Sequence, residues 1–114
     1  GGAILLEAAR VTIGDTASLC ANGGGGGGTG SITTAGNSGT CLYLPAAGGM
    51  SDGNVSPGGA GAYGAVDATM GSKPVTASNG GSGGGGGVGR IRINGEPVPN
   101  AATITPNYSM GPLP

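Results

Sequence analysis

The chain has no histidine, no phenylalanine and no tryptophan, and only 8% of its residues carry charge. Without histidine, the commonest general base and metal ligand is missing. Its five carboxylates, Glu7, Asp15, Asp52, Asp67 and Glu96, are dispersed and show no paired acid–base spacing. Cys20 and Cys41, the only cysteines, form no CxxC and have no histidine to join them, so a zinc site has no ligand set. Asp52-Gly53-Asn54 lacks the rest of a calcium loop and reads as a turn. These absences argue against an enzyme and against a resident metal or cofactor. Four scattered basic residues, Arg10, Lys73, Arg90 and Arg92, make no stripe to track phosphates, and three tyrosines make a poor stacking platform. Nucleic acid is therefore not an expected partner. The longest strongly apolar stretch, Ala3-Ile4-Leu5-Leu6, falls far short of the ~20 residues needed to span a bilayer.

Isoleucine, leucine and valine are also scarce, 18 residues of 114, below the roughly one-fifth at which disorder becomes the default. Disorder usually also requires high net charge, and here the net charge is −1. A chain poor in both charge and large apolar groups packs through its backbone or associates with itself. The 114 residues suit one domain.

What the chain has in quantity is glycine, 30 residues. One unbroken run comprises Gly23, Gly24, Gly25, Gly26, Gly27 and Gly28, and a second comprises Gly83, Gly84, Gly85, Gly86 and Gly87. At ~1–2 kcal/mol per ordered backbone position, fixing these runs costs tens of kcal/mol. Either they stay disordered, or they make main-chain contacts that only a chain without side chains allows. The ordered form is polyglycine II, with three residues per turn and no internal hydrogen bonds. Every N–H and C=O must then find a neighbouring rod or water. A continuous glycine run bares all three faces and so suits a bundle interior. The runs 23–28 and 83–87 are expected as interior rods, with 58–64 as an outer one. On that reading a valine at position 25 or 85 abolishes assembly.

Two segments alternate as strands. Ile4, Leu6 and Ala8 share one face of the first, and Ile91 and Ile93 face inward in Arg90-Ile91-Arg92-Ile93-Asn94. Weaker candidates are 17–21, 31–34, 41–44 and 102–105, and nothing has helical periodicity. Gly1-Gly2-Ala3-Ile4-Leu5-Leu6 resembles Val88-Gly89-Arg90-Ile91-Arg92-Ile93, and Val11-Thr12-Ile13 has an echo in Thr103-Ile104-Thr105. This weak internal repeat around a long insertion predicts an all-β fold, either a β-solenoid or a compact sandwich, with polyglycine II-like segments and little or no helix. Residues 1–114 are read as a single glycine-rich β domain, with 45–82 as a small-residue insertion and 97–114 as a proline-rich tail free to reach a neighbour. A strand at the first residues needs another chain or a missing segment beside it. The start at Gly1-Gly2, without an initiator methionine or signal pattern, is expected of a mature product or an excerpt.

Cys20 and Cys41 close a loop around the first glycine run in an oxidising compartment, and otherwise remain two buried thiols. So small an apolar core favours the disulfide, and with it a secreted protein. Gly59-Ala60-Gly61-Ala62-Tyr63-Gly64 spells GxGxxG, but the motif is expected by chance at this glycine frequency and lacks a strand–helix setting.

The frame Gly-Gly-Ala-Ile-Leu-Leu-Glu-Ala, then Val-Thr-Ile, then Ala21-Asn22 and a glycine run, closing with a second run and Gly89-Arg90-Ile91-Arg92-Ile93-Asn94, resembles glycine-rich secreted proteins of bacteria such as myxobacteria. The runs also resemble the polyglycine II bundles of phage tail-fibre adhesins and springtail antifreeze proteins. The first resemblance implies an extracellular structural or adhesive protein and supplies no catalytic residues. From the antifreeze pattern the chain departs, because glycine does not recur at every third position. The leading expectation is a subunit of a self-assembling extracellular filament whose partner is itself, joined head to tail. The alternative is an adhesin module that meets a surface glycan or other cell-surface ligand through the region of Met50 and Tyr63. Ice binding stands third.

Overall fold

Strands form where the alternation is strongest. In the computed structural model, which describes residues 1–30, 33–51, 56–73, 80–98 and 103–113, β1 (Ala3–Thr12) and β3 (Arg90–Val98) pair in parallel. Ile4 lies beside Ile91 and Leu6 beside Ile93, the same alignment that the glycine-led repeat suggests. β5 (Ser109–Gly111) joins the other side of β3, also parallel, giving the order β1-β3-β5. A second ladder pairs β2 (Ser18–Cys20) with β4 (Thr103–Thr105), again in parallel. The fold is all-β, with no helix among the described residues. Successive passages of the chain stack as in a coil, although no coil is closed.

The core is small and is shared between ladders and bundle. Ile91 and Ile93 are 2% and 0% exposed, Ile13, Ala21 and Thr105 are buried beside the ladder strands, and Ala46 and Ala62 are buried among the rods. The β1–β3 ladder shifts register between Glu7 and Arg10. Opposite that shift stands Gly95 at φ +124°, where a Cβ would collide with the Ala8 carbonyl. Glycine is required there, because an L side chain fits neither the backbone angle nor the space.

Between the first and second passages, the chain leaves the ladders at Ala21 and returns at Gly89, whose N–H donates to the Ala21 carbonyl at 2.6 Å. What lies between is a bundle of extended rods. Their hydrogen bonds advance in steps of three, as a threefold backbone helix requires. In rod 21–29, Gly23 N–H donates to Ala62 O, Gly26 to Gly59 O and Thr29 to Ser56 O, so rod 56–62 runs antiparallel to it. Gly25 and Gly28 donate to Asn37 and Thr34 of rod 34–39. Gly49 of rod 46–50 donates to Gly26 O, and Gly83 and Gly86 of rod 82–87 donate to Gly27 and Gly24. Rod 69–72 completes the set, with Thr69 and Ser72 donating to Ala60 and Pro57. Successive rods alternate in direction. Their contacts define two layers, 34–39, 21–29 and 82–87 in one, and 46–50, 56–62 and 69–72 in the other.

Four expectations need correction. The segment 58–64, expected as an outer rod, falls mostly in rod 56–62, which is one of the two central rods, bonded to four others, and Gly59, Gly61 and Ala62 are buried. Rod 82–87, expected inside, ends a layer, and Gly83, Gly84, Gly86 and Gly87 are exposed. Glycine content alone does not fix a rod's place, which depends on how many neighbours the hairpin path brings to it. Nor is 97–114 a free tail in its described part, since it finishes β3 and supplies β4 and β5. The echo of Val11-Thr12-Ile13 is likewise displaced: Val11 and Thr12 pair with Pro97 and Val98, and Thr103-Ile104-Thr105 pair with β2. Of the weaker strand candidates, 17–21 contains β2 and 102–105 contains β4, while 41–44 forms bends; residues 31 and 32 of the fourth lie outside the described residues.

The bundle lengthens the molecule. Its radius of gyration is 17.5 Å, against about 13 Å for a compact chain of this size, and its extents are 57 × 27 × 17 Å.

Candidate functional site

Two places concentrate specific chemistry: the junction between bundle and ladders, and the open edges of the three-stranded sheet. At the junction, Asn22 stands immediately before the first glycine run. Its Nδ2 donates to the carbonyls of Thr40 at 2.7 Å and Leu42 at 3.0 Å. Its Oδ1 accepts from the hydroxyl of Thr105 at 3.0 Å and from Gly64 N–H at 3.4 Å. One amide side chain thus ties β4 to two other segments, 40–42 and the turn at Gly64. Tyr43 adds a second tie, donating its hydroxyl to Ile104 O at 2.8 Å.

Cys20 and Cys41 are joined as a disulfide, with Cα atoms 5.1 Å apart and a sequence separation of 21. It fastens β2 to the segment that follows rod 34–39 and encloses the first glycine run. Loop closure of that length is worth ~3 kcal/mol on the chain-entropy estimate. Cys41→Ser, or reduction, is therefore expected to lower the chemical-denaturation midpoint by an amount equivalent to ~3 kcal/mol. An unchanged midpoint on reduction would show that the crosslink contributes nothing to stability.

Within the runs, glycine is required for space at five of the eleven positions. A Cβ on Gly23, Gly25, Gly26 or Gly28 would overlap backbone atoms of a neighbouring rod, as would one on Gly85. At Gly83 and Gly86 the fit would be tight, and at Gly24 it would meet Asn37 O at 3.2 Å. Gly27, Gly84 and Gly87 have room. Gly59 and Gly61 of the GxGxxG sequence are rod positions with the same crowding.

Among the described residues the sheet edges are open: β1 pairs only with β3 on one side, and β5 does likewise on the other. The row Leu6–Ile93–Met110 runs across all three strands on the inward face. Its middle member is fully buried, whereas Leu6 is half-buried and Met110 is 58% exposed. A groove of ≈ 420 Å³ continues along the β5 side, lined by Val88, Arg90, Ile91, Pro106 and Tyr108 among others. On the outward face, Arg92 Nε donates to Asn94 Oδ1 at 2.8 Å, and Asn94 Nδ2 donates to Glu7 Oε1 at 2.7 Å.

Comparison with family models, curated proteins and solved structures finds no match to this chain. Among the described residues no three metal-ligating side chains gather, and no helix is long and apolar enough to cross a membrane. Sequence reasoning passed over Asn22, Asn94 and Gly111. Only Asn22 carried a signal, as the one polar side chain between Cys20 and the glycine run.

Proposed function

We propose that this chain is an extracellular structural protein whose copies join head to tail into a filament, without enzymatic activity. The observation that supports this reading best is the row Leu6–Ile93–Met110. Its centre is packed as in a finished core, and both ends present apolar side chains beside unpaired strand edges. An exposed sheet edge is a template for another strand. β1 and β5 are opposite, non-equivalent edges of a parallel sheet, so a copy that adds β1 to another's β5 leaves the next edge free. Contacts of that heterologous kind generate open polymers when they do not close into rings. The disulfide fits an oxidising, extracellular setting.

Negative-stain electron microscopy of the purified chain under non-reducing conditions tests the reading. Uniform fibres above a critical concentration are expected. Discrete small particles at every concentration would refute it and turn attention to an adhesin that displays the far end of its bundle, where Met50 is 71% exposed.

A further inference from the structure

We infer that the joint between copies is a parallel β5–β1 pairing locked by an ion pair between Arg92 of one copy and Glu7 of the next. This rests on the head-to-tail reading and names its contact. The sheet already contains the pattern to be continued. Leu5, Arg92 and Ser109 form one row, Leu6, Ile93 and Met110 the next, and Glu7, Asn94 and Gly111 the third. Continuing the same parallel register sets Leu5, Leu6 and Glu7 of an incoming copy beside Ser109, Met110 and Gly111. The half-exposed Met110 then gains the apolar neighbour that Leu6 gives Ile93.

The third row carries the specificity. Gly111 has no side chain, and the guanidinium of Arg92 occupies the space where its Cβ would stand, with Nη2 in closest contact. Arg92 thus reaches across β5 toward the open edge. The next strand of a sheet lies ~4.8 Å away, so the residue it places beside Gly111 comes within reach of that guanidinium. In this register the residue is Glu7, an acid. Inside one chain the two charges are held apart, because Asn94 stands between them and bonds to both. Neither Glu7 nor Arg92 forms an ion pair among the described residues. Among the described residues, each subunit therefore carries a cation at one edge and an anion at the other with no charged partner.

Charge reversal with mixing tests this directly. Glu7→Lys and Arg92→Glu are purified separately, and polymer is measured by sedimentation and microscopy against wild type. Each variant alone is expected to raise the critical concentration on the order of 100-fold, since like charges are then opposed across a joint. An equimolar mixture is expected to recover polymer near the wild-type concentration, with the variants alternating. Mixing restores only contacts between chains, so recovery cannot come from repair within either variant. Polymerisation of either variant alone at the wild-type concentration, or no recovery on mixing, would overturn the ion pair. No polymer from wild type would overturn the filament reading itself.

Discussion

Gly25→Val and Gly85→Val are expected to dismantle the bundle, whereas Gly87→Ala is expected to leave it intact. The three residues stand in glycine runs that look alike in sequence. At Gly25 a Cβ would overlap the carbonyl of Ala47, and at Gly85 that of Ala60, while at Gly87 it meets nothing within 4 Å. Backbone atoms cannot rotate aside as the end of a flexible side chain can, so the rods must separate. Separation breaks the neighbouring bonds, among them Gly25 to Asn37 and Gly85 to Thr69. Each is worth about 1 kcal/mol net, and valine's branched carbon adds overlap to that loss. We expect a cost above ~3 kcal/mol at either position, in the range reserved for identifiable structural damage. Gly87→Ala should instead be neutral or stabilising by ~0.5 kcal/mol, because alanine narrows the unfolded ensemble. Amide hydrogen exchange reads the difference. Gly26, Gly59 and Ala62 should lose protection in both valine variants and keep it in Gly87→Ala. Retained protection in the valine variants would mean that the rods are not packed through their backbones.

The second large effect is expected at Asn22. Its amide makes four hydrogen bonds, one of them to the hydroxyl of Thr105, which is fully buried. Asn22→Leu keeps the approximate volume and strands Thr105 Oγ1 without its acceptor. A buried polar group left unpaired costs ~1–3 kcal/mol, and the donors to Thr40 and Leu42 are lost as well. Asn22→Asp is a sharper probe. It keeps an acceptor for Thr105 but turns the donating nitrogen into an oxygen facing two carbonyls. We expect both variants to fall by ~3 kcal/mol or more in denaturant titrations, with Asn22→Asp recovering in part at acid pH as its carboxyl takes up a proton. Wild-type midpoints for both would remove Asn22 as the junction's anchor.

The ladders were more legible in the sequence than the bundle, for physical reasons. Ile4, Leu6, Ile91 and Ile93 announce their face by period, and glycines punctuate both strands, so the two strands and their likeness follow from the residues; that they pair with each other, rather than with another chain, does not. β2 and β4 are three residues each and mix small, polar and apolar side chains. Thr-Ile-Thr can be matched to Val-Thr-Ile as readily as to Ser-Leu-Cys. What decides between them is the path of the chain past the Gly95 corner, a tertiary property. In the bundle the rod conformation was legible, because nothing else accommodates a run of bare backbone without a helix or a strand. Which rod is central was not. That depends on hydrogen bonds between segments far apart in sequence, such as Gly26 to Gly59 and Gly83 to Gly27. Asn94 and Gly111 were hidden for a related reason: their meaning comes only from the neighbours that β1 and β3 place beside them.

The insertion leaves the ladders and returns to them at adjacent residues, Ala21 and Gly89, and that closeness sets how the gene can change. A coil whose excursion begins and ends at the same spot does not feel how far the excursion travels. Rods can be gained or lost in pairs, one hairpin at a time, because an odd number of rods would bring the chain back at the wrong end. Within a hairpin, length is quantised. Three residues added to every rod extend the bundle by ~9 Å and keep each donor aimed at its acceptor, whereas one residue turns the donors by a third of a revolution toward the wrong neighbour. Deletions and duplications at the DNA level therefore meet a second reading frame, counted in amino acids rather than nucleotides, and only changes in step with it yield a longer or shorter arm.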